Sequence, residues 1–388
     1  VDEATARAWP DALAAVGVRT GLPVTPVPAE AYDADEPDAD DVPGAGPDGP
    51  DDVALLVDRL DGWHEYVRAT GLTGRSAPQD VVEDLDAVRD GAWPEVLSAL
   101  AVEHPRTLGP VAPEGAPSWT AWTLRRLVPG LGRPFALAPG SGRADDAAPV
   151  GASTAAVLLP AAPDVVAGLP EQVRRALGGV AGLGELDAAG WTAVLGALDH
   201  GAAVPPAEAV AAWAALARLA VVDPEAAVDG PSVPALDADG ATLAAALDDV
   251  VVCSPAWAQR TDLGPRVVVP AEAVDAVASM LDADAAEDRA AGAVTSRGVR
   301  AGVPDAVRAL LPDAPWTWVE HEDLRVDGRP VAWWVDDDGV VHASTTEGLA
   351  CGVAAVVGWS RRHLVARLLT GGVDVDAERV ALAGELDG

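Results

Sequence analysis

WTWVEHEDLRVDGRPVAWWVDDDGVVHAST, residues 316–345, decides how the C-terminal part of this chain is read. The stretch holds four of the 13 tryptophans, two of the six histidines and a run of acids. It is either a metal or catalytic site or the aromatic core of a small sheet. Period-two alternation puts Trp316, Trp318 and Glu320 on one face of a strand. Leu324–Val326 and Val331–Val335 flank Asp327-Gly328, a pair suited to a type I′ turn because both positions need positive φ. Asp336 to Gly339 forms a second turn and Val340 to Ala343 a third strand. Ser344-Thr-Thr-Glu347 has capping-box spacing. A helix is expected from there to about Leu369, with Leu349, Val353, Val356, His363 and Leu364 near one face. On this reading Trp318, Trp333 and Val335 make the core face, and the acids occupy turns because Asp side chains bond nearby backbone.

The chemical alternative is a small hydrolase or metal-dependent enzyme built on Glu320, His321 and His342. It needs His321 and His342 to converge with His363 or with a carboxylate such as Asp336 or Glu320. No HxH or HExxH spacing supports a metal there. An enzyme would hold these groups in one cleft, whereas a scaffold would leave the histidines apart.

Outward from this segment, DDVVVCSPAW (248–257) and PRVVVP (265–270) are short β-branched runs, and AEAVDAVASMLD (271–282) is an amphipathic helix. Strands alternating with a helix predict an α/β or α+β unit, with a small α/β unit the expectation. Residues 228–239, rich in Pro, Gly and Asp, read as a separator. Further upstream helical spacing dominates. Leu56, Leu60, Trp63 and Val67 form one stripe; Val82, Leu85 and Val88 a second; Trp93, Val96 and Leu100 a third. Ser118 starts a helix bearing Trp119, Trp122, Leu124 and Leu127. Val173, Leu177, Val180 and Leu183 follow, then Trp191, Leu195 and Leu198, then Val210, Trp213, Ala217 and Ala220. A helix is also expected over 1–22, and 138–152 reads as loose. The expected organisation is a helical region 1–110 with an acidic linker 25–52, a helical region 118–227, an α/β unit 240–312, and a Trp-rich β-meander plus C-terminal helix 313–388. The fold class is α+β: a mostly helical N-terminal two-thirds, a small α/β unit, and an antiparallel meander packed on a helix.

Composition excludes more than it implies. The 388 residues contain no Lys, no Asn and no Ile, a pattern of GC-rich coding. Without Lys there is no P-loop or Schiff-base lysine. Without Asn there is no Asn ligand to magnesium. A net charge of −35 disfavours nucleic acid and anionic membrane surfaces as partners. Cys253 and Cys351 stand alone, as free thiols of a cytoplasmic protein do. Ser141 and Ser254 lie outside any GxSxG elbow. GVAGLGEL (179–186) has its glycines in the wrong order for a dinucleotide fingerprint. GLACG (348–352) implies close packing of a helix. The start, VDEATARAWP, has no initiator Met and no apolar signal core, and reads as a fragment or a processed start.

The segment from Trp318 to Leu369, WVEHEDLRVDGRPVAWWVDDDGVVHASTTEGLACGVAAVVGWSRRHLVARLL, resembles the C-terminal end of actinobacterial sacsin-like proteins, relatives of the ninety-kilodalton heat-shock chaperone. VVVCSPAWAQRTDLGPRVVVPAEAVDAVASMLD, SWTAWTLRRL and AWPDALAAVGV are similar to the same C-terminal half. The resemblance implies a parent with an N-terminal GHKL-type ATPase domain. That domain uses a Glu…Asn helix and a DxGxG loop, and this chain has neither. The implied role is a non-catalytic scaffold or protein-interaction segment, with an upstream ATPase domain or a client as partner and no cofactor. Trp359, Arg361, Arg362 and Arg367 form the candidate interaction surface, since Trp and Arg are favoured at hot spots. A degenerate fragment without independent function is the remaining alternative, marked by exposed apolar faces.

Overall fold

The computed structural model describes residues 22–33, 52–112, 115–137 and 156–371. The helix expected over 1–22, the loose stretch 138–152 and most of the acidic linker lie outside them. Contacts divide the chain into two units between Leu186 and Asp187, inside the expected helical region 118–227.

The first unit runs β1 (Val24–Val27), α1 (Asp52–Val57), α2 (Trp63–Thr70), β2 (Gln79–Val82), α3 (Trp93–Glu103), α4 (Trp119–Leu127), β3 (Phe135–Ala136), α5 (Asp164–Ala167), α6 (Glu171–Ala176) and β4 (Gly179–Val180). The first residues expected to be linker are folded instead. Thr25 and its neighbours pair antiparallel with β2, and Val27, Ala31 and Tyr32 are buried. Apolar residues in an otherwise polar run carry this, where composition averaged over the run hid them. Val82, Leu85 and Val88 were expected on one helix; Val82 ends β2 and Leu85 opens a 3-10 turn. The stripe from Leu56 to Val67 is split at Gly62, which adopts φ 74. Similarly, α6 stops at Ala176, and Val180 joins a parallel pair with β3. The core centres on Trp63, which stacks on Tyr32 at 5.6 Å and donates to the Ala31 carbonyl at 3.0 Å. Gln79 ties it together: its amide donates to both Tyr32 and Tyr66 hydroxyls at 3.1 Å, and its carbonyl accepts the Trp119 N–H at 2.8 Å. Burial raises the Tyr66 phenol above its ordinary value, so it stays neutral and able to donate.

The second unit runs α7 (Ala188–Gly196), α8 (Pro206–Val222), β5 (Ser232–Leu236), β6 (Thr242–Ala246), β7 (Val251–Cys253), β8 (Arg266–Val268), α9 (Val274–Leu281), β9 (Asp284–Ala285), α10 (Ala286–Arg289), β10 (Gly298–Gly302), α11 (Asp305–Leu310), β11 (Thr317–His321), β12 (Arg325–Val326), β13 (Arg329–Pro330), β14 (Trp333–Val335), β15 (Val341–Ala343), α12 (Thr346–Val357) and α13 (Arg362–Leu369). A five-stranded sheet has the order β6-β5-β8-β7-β9. Its strands β7, β8 and β9 are parallel, as the α/β reading requires. The expected separator 228–239 contributes β5, because Val233 and Ala235 are buried and the Pro234 carbonyl accepts the Trp213 indole N–H at 2.7 Å.

A four-stranded sheet has the order β10-β11-β15-β14. Its outer pairs are antiparallel and its central pair, β11 with β15, is parallel. The hairpin at Asp327-Gly328 forms with φ 49 and 76, as the turn chemistry predicts, but β12 and β13 make a separate ribbon. Helix α12 starts one residue later than expected: the Thr345 hydroxyl accepts the Gly348 N–H at 2.9 Å. The expected single helix to Leu369 breaks at Gly358, φ 118, and a 3-10 turn, Trp359–Arg361, precedes α13. Val356 and His363 are consequently exposed. Gly352 lets α12 press on the sheet, since a Cβ there would stand 2.5 Å from the Val341 side chain.

The pair Trp333-Trp334 organises this unit. Strand alternation turns Trp333 into a core with Val341, Leu349, Val353, Val365 and Leu368. Trp318 and Val335 pack on the same core, as expected. Trp334 faces the other way, into a core with Val251, Cys253, Trp257, Leu324 and Val326. Burial of each indole is worth roughly 4–6 kcal/mol of transfer free energy, so the strand is held from both faces. Trp316 precedes β11 and is exposed, with the Arg308 guanidinium 4.4 Å from its ring centre.

Candidate functional site

Two features of the second unit have the geometry of a site. The first is a cavity of about 730 Å³, within the ~300–1,000 Å³ range of ligand pockets. Its walls are Trp257, Trp334 and Trp359, with Ala256, Val335 and Val356 among the smaller apolar side chains. Trp257 and Trp334 meet edge to face at 4.8 Å and 72°. Gly292 adopts φ 66 beside them, and a Cβ there would lie 2.9 Å from Trp257. Three exposed carboxylates border the cavity: Glu272 before α9, Glu287 on α10 and Asp337 in the β14–β15 turn. No described Arg lines it, and none of the three acids is ion-paired with another described residue.

The 257–260 turn fixes these walls. Trp257 supplies one of them. Gln259 donates to the Trp333 carbonyl at 2.8 Å and accepts the Ala332 N–H at 2.8 Å, so it locks the register of β14. Arg260 is 3% exposed and binds Asp262 through two nitrogens at 2.9 Å and Asp327 at 2.7 Å. Asp327 also accepts the N–H groups of Gly292 and Ala293 at 3.0 Å. The hydrogen bond from Arg260 holds the Asp262 carboxyl below its ordinary range. At Asp327 burial pulls upward, but Arg260 and the two backbone donors outweigh it, and its carboxyl is also held low.

The second feature is a hydrogen-bonded chain of side chains. Because β11 and β15 are neighbours, His321 and His342 come together, with His321 Nε2 3.0 Å from His342 Nδ1. His342 Nε2 reaches Asp336 at 3.1 Å, and His321 Nδ1 reaches the Ser296 hydroxyl at 3.0 Å. With both rings neutral, the acceptor-only carboxylate sets every proton: Ser296 donates to His321, His321 to His342, and His342 to Asp336. Ser296 in turn accepts the Arg325 N–H at 3.0 Å. Asp336 also accepts the N–H groups of Asp338 and Val340, which shapes the turn carrying Asp337 at the cavity.

These placements sort the sequence expectations. The scaffold reading expected His321 and His342 apart; they are in contact and buried, at 3% and 8% exposure. Asp336 joins them. Glu320 and His363 do not: both are exposed, and Glu320 lies on the opposite face of β11 from His321. Ser296 was missed, since nothing in TSRG marks it. Among the described residues no three His, Cys, Asp or Glu side chains gather to hold a metal. Of the proposed interaction residues, Trp359 borders the cavity and stacks on Trp333 at 5.7 Å. Arg362 stands 5.4 Å from the Trp359 ring centre. Arg361 and Arg367 are exposed and do not line the cavity. Both cysteines are free. Among the described residues no helix is long and apolar enough to cross a membrane. The chain matches no protein-family model, no curated protein and no solved structure.

Burial and then the neighbouring His342 lower the His321 pKa from its ordinary 6.5, against a smaller opposite pull from the Arg297 backbone. The unfolded chain therefore takes up this proton first. The stability contributed by neutral His321 is complete above pH 6.5 and is lost as the pH falls through 6.5 toward the lower folded value. Urea midpoints of the second unit should drop more steeply below pH 6.5 in the native chain than in His321→Gln. Parallel pH profiles for the two would contradict the neutral chain.

Proposed function

We propose that the chain is a cytoplasmic, non-catalytic interaction region, and that its second unit docks a protein partner at the Trp-walled cavity. The observation that carries this is a pre-formed cavity in which Gln259 and Arg260 hold the turn bearing Trp257 against β14, and Trp359 stacks on Trp333. A rigid aromatic pocket with a polar border is the anatomy of an interface hot spot. The resemblance to sacsin-like C-terminal halves supports a GHKL-type ATPase domain, or a client of it, as the partner. Free thiols suit a reducing compartment. Calorimetry of the chain with the GHKL-type ATPase domain encoded in the same genome tests this. Binding should weaken by about 2 kcal/mol, roughly thirtyfold, in Trp359→Ala. Absence of binding, or binding indifferent to Trp359, would contradict it.

A second reading is favoured by the Ser296–His321–His342–Asp336 chain, which has the connectivity of a hydrolase relay. It ranks below docking because Ser296 already accepts the Arg325 N–H and His321 is sealed from solvent. A fluorophosphonate probe decides between them. The structural role expects no labelling at Ser296, and labelling that disappears in Ser296→Ala and His321→Gln would establish the hydrolase.

A further inference from the structure

The cavity also specifies the chemistry of what it takes. We infer that its occupant is a basic peptide segment with an apolar anchor: an aliphatic or aromatic side chain enters between the indoles while flanking Arg or Lys residues meet the three acids at the mouth. This rests on the docking reading above and adds the class of partner.

Three observations converge. The interior walls are apolar, formed by Trp257, Trp334, Trp359, Ala256, Val335 and Val356. An apolar side chain gains from leaving water there, at about 25 cal/mol per Å² buried. Every described charged residue bordering the cavity is an acid: Glu272, Glu287 and Asp337. They come from three separate elements, and no described residue ion-pairs with them. Some neighbouring acids are used internally, Asp262 and Asp327 by Arg260, Asp336 by His342 and Asp284 by Arg289, while others such as Asp338 stay exposed. The three carboxylates at the cavity thus have no counter-charge among the described residues. Like charges gathered without a counter-charge disfavour an acidic partner and favour a basic one. The indole walls suit such a partner as well. The chain's own Arg260 and Arg362 already stand over Trp257 and Trp359, at 5.8 and 5.4 Å from the ring centres, without lining the cavity. Ser254 also lines the cavity, and its hydroxyl is a neutral group that accepts or donates.

The test follows the indole N–H signals of Trp257, Trp334 and Trp359 in nitrogen-15 spectra of the full chain, each assigned by its Trp→Phe variant. Three acetylated, amidated pentapeptides are titrated: RLFLR, its acidic counterpart ELFLE, and RSGSR, which has the charge without the anchor. RLFLR should shift the three indoles saturably. Its affinity should fall about tenfold in the triple variant Glu272→Gln, Glu287→Gln, Asp337→Asn. It should be unchanged in Asp199→Asn, Glu225→Gln, Asp239→Asn, which removes the same charge at exposed positions outside the lining. That control separates the mouth acids from the general attraction of a chain of net charge −35. If ELFLE binds as well as RLFLR, or the mouth variant keeps full affinity, the basic class is wrong while docking stands. If RSGSR binds as tightly, the apolar anchor is wrong. If no peptide moves the three indoles, this inference and peptide docking at the cavity both fall, and partner binding measured on Trp359→Ala then shows whether docking survives elsewhere.

Discussion

The second unit depends on the buried charge of Arg260. Arg260 gives up water almost entirely, a penalty of several kcal/mol for a cation in a low-dielectric interior. Two carboxylates offset it in good geometry, Asp262 bidentately and Asp327 from the hairpin turn. Asp327 passes the constraint on, because it also holds the backbone of Gly292 and Ala293. One guanidinium therefore joins the loop after β7, the β12–β13 ribbon and the segment entering β10. With Gln259 bonded to the backbone of β14, the turn at 257–260 sets where both tryptophans of that strand point.

From this constraint the cavity follows. Trp334 can meet Trp257 edge to face only if β14 sits in the register that Gln259 imposes. Trp333 is then directed to the helical side, where Gly352 allows α12 close enough to cover it. Trp359 stacks on Trp333 because Gly358 breaks the helix just before it. The indoles lining the cavity are anchored in this way to two cores and a charged clamp. The histidine chain serves the same end from the face of the sheet that carries Trp334, whose cross-strand partner is His342. Asp336, which terminates that chain, shapes the turn that presents Asp337.

Local chemistry was readable from the sequence, and tertiary pairing was not. The Asp327-Gly328 turn, the Ser118 cap, the two β-branched strands before their helix, and Trp318, Trp333 and Val335 on one face all follow from short-range rules. Trp334 was not placed, because a residue opposite a core face reads as exposed unless a second core covers it. The parallel approach of β11 to β15 joins residues distant in sequence, and it alone brings His321 to His342. Ser296 becomes informative only through that pairing. The errors at Val24–Asp33 and Ser232–Leu236 share another cause: a few buried residues decide the structure of segments whose average composition is polar or Pro-rich.

The central claim is that β14 is clamped between two separate cores by its adjacent tryptophans. Hydrogen exchange on Trp333→Phe and Trp334→Phe tests it most directly, since Phe keeps a ring and lowers the risk of global unfolding. The account expects Trp334→Phe to deprotect Val251–Cys253 and the β12–β13 ribbon, and Trp333→Phe to deprotect α12 and α13. Identical deprotection patterns in the two variants would contradict a strand shared between two cores.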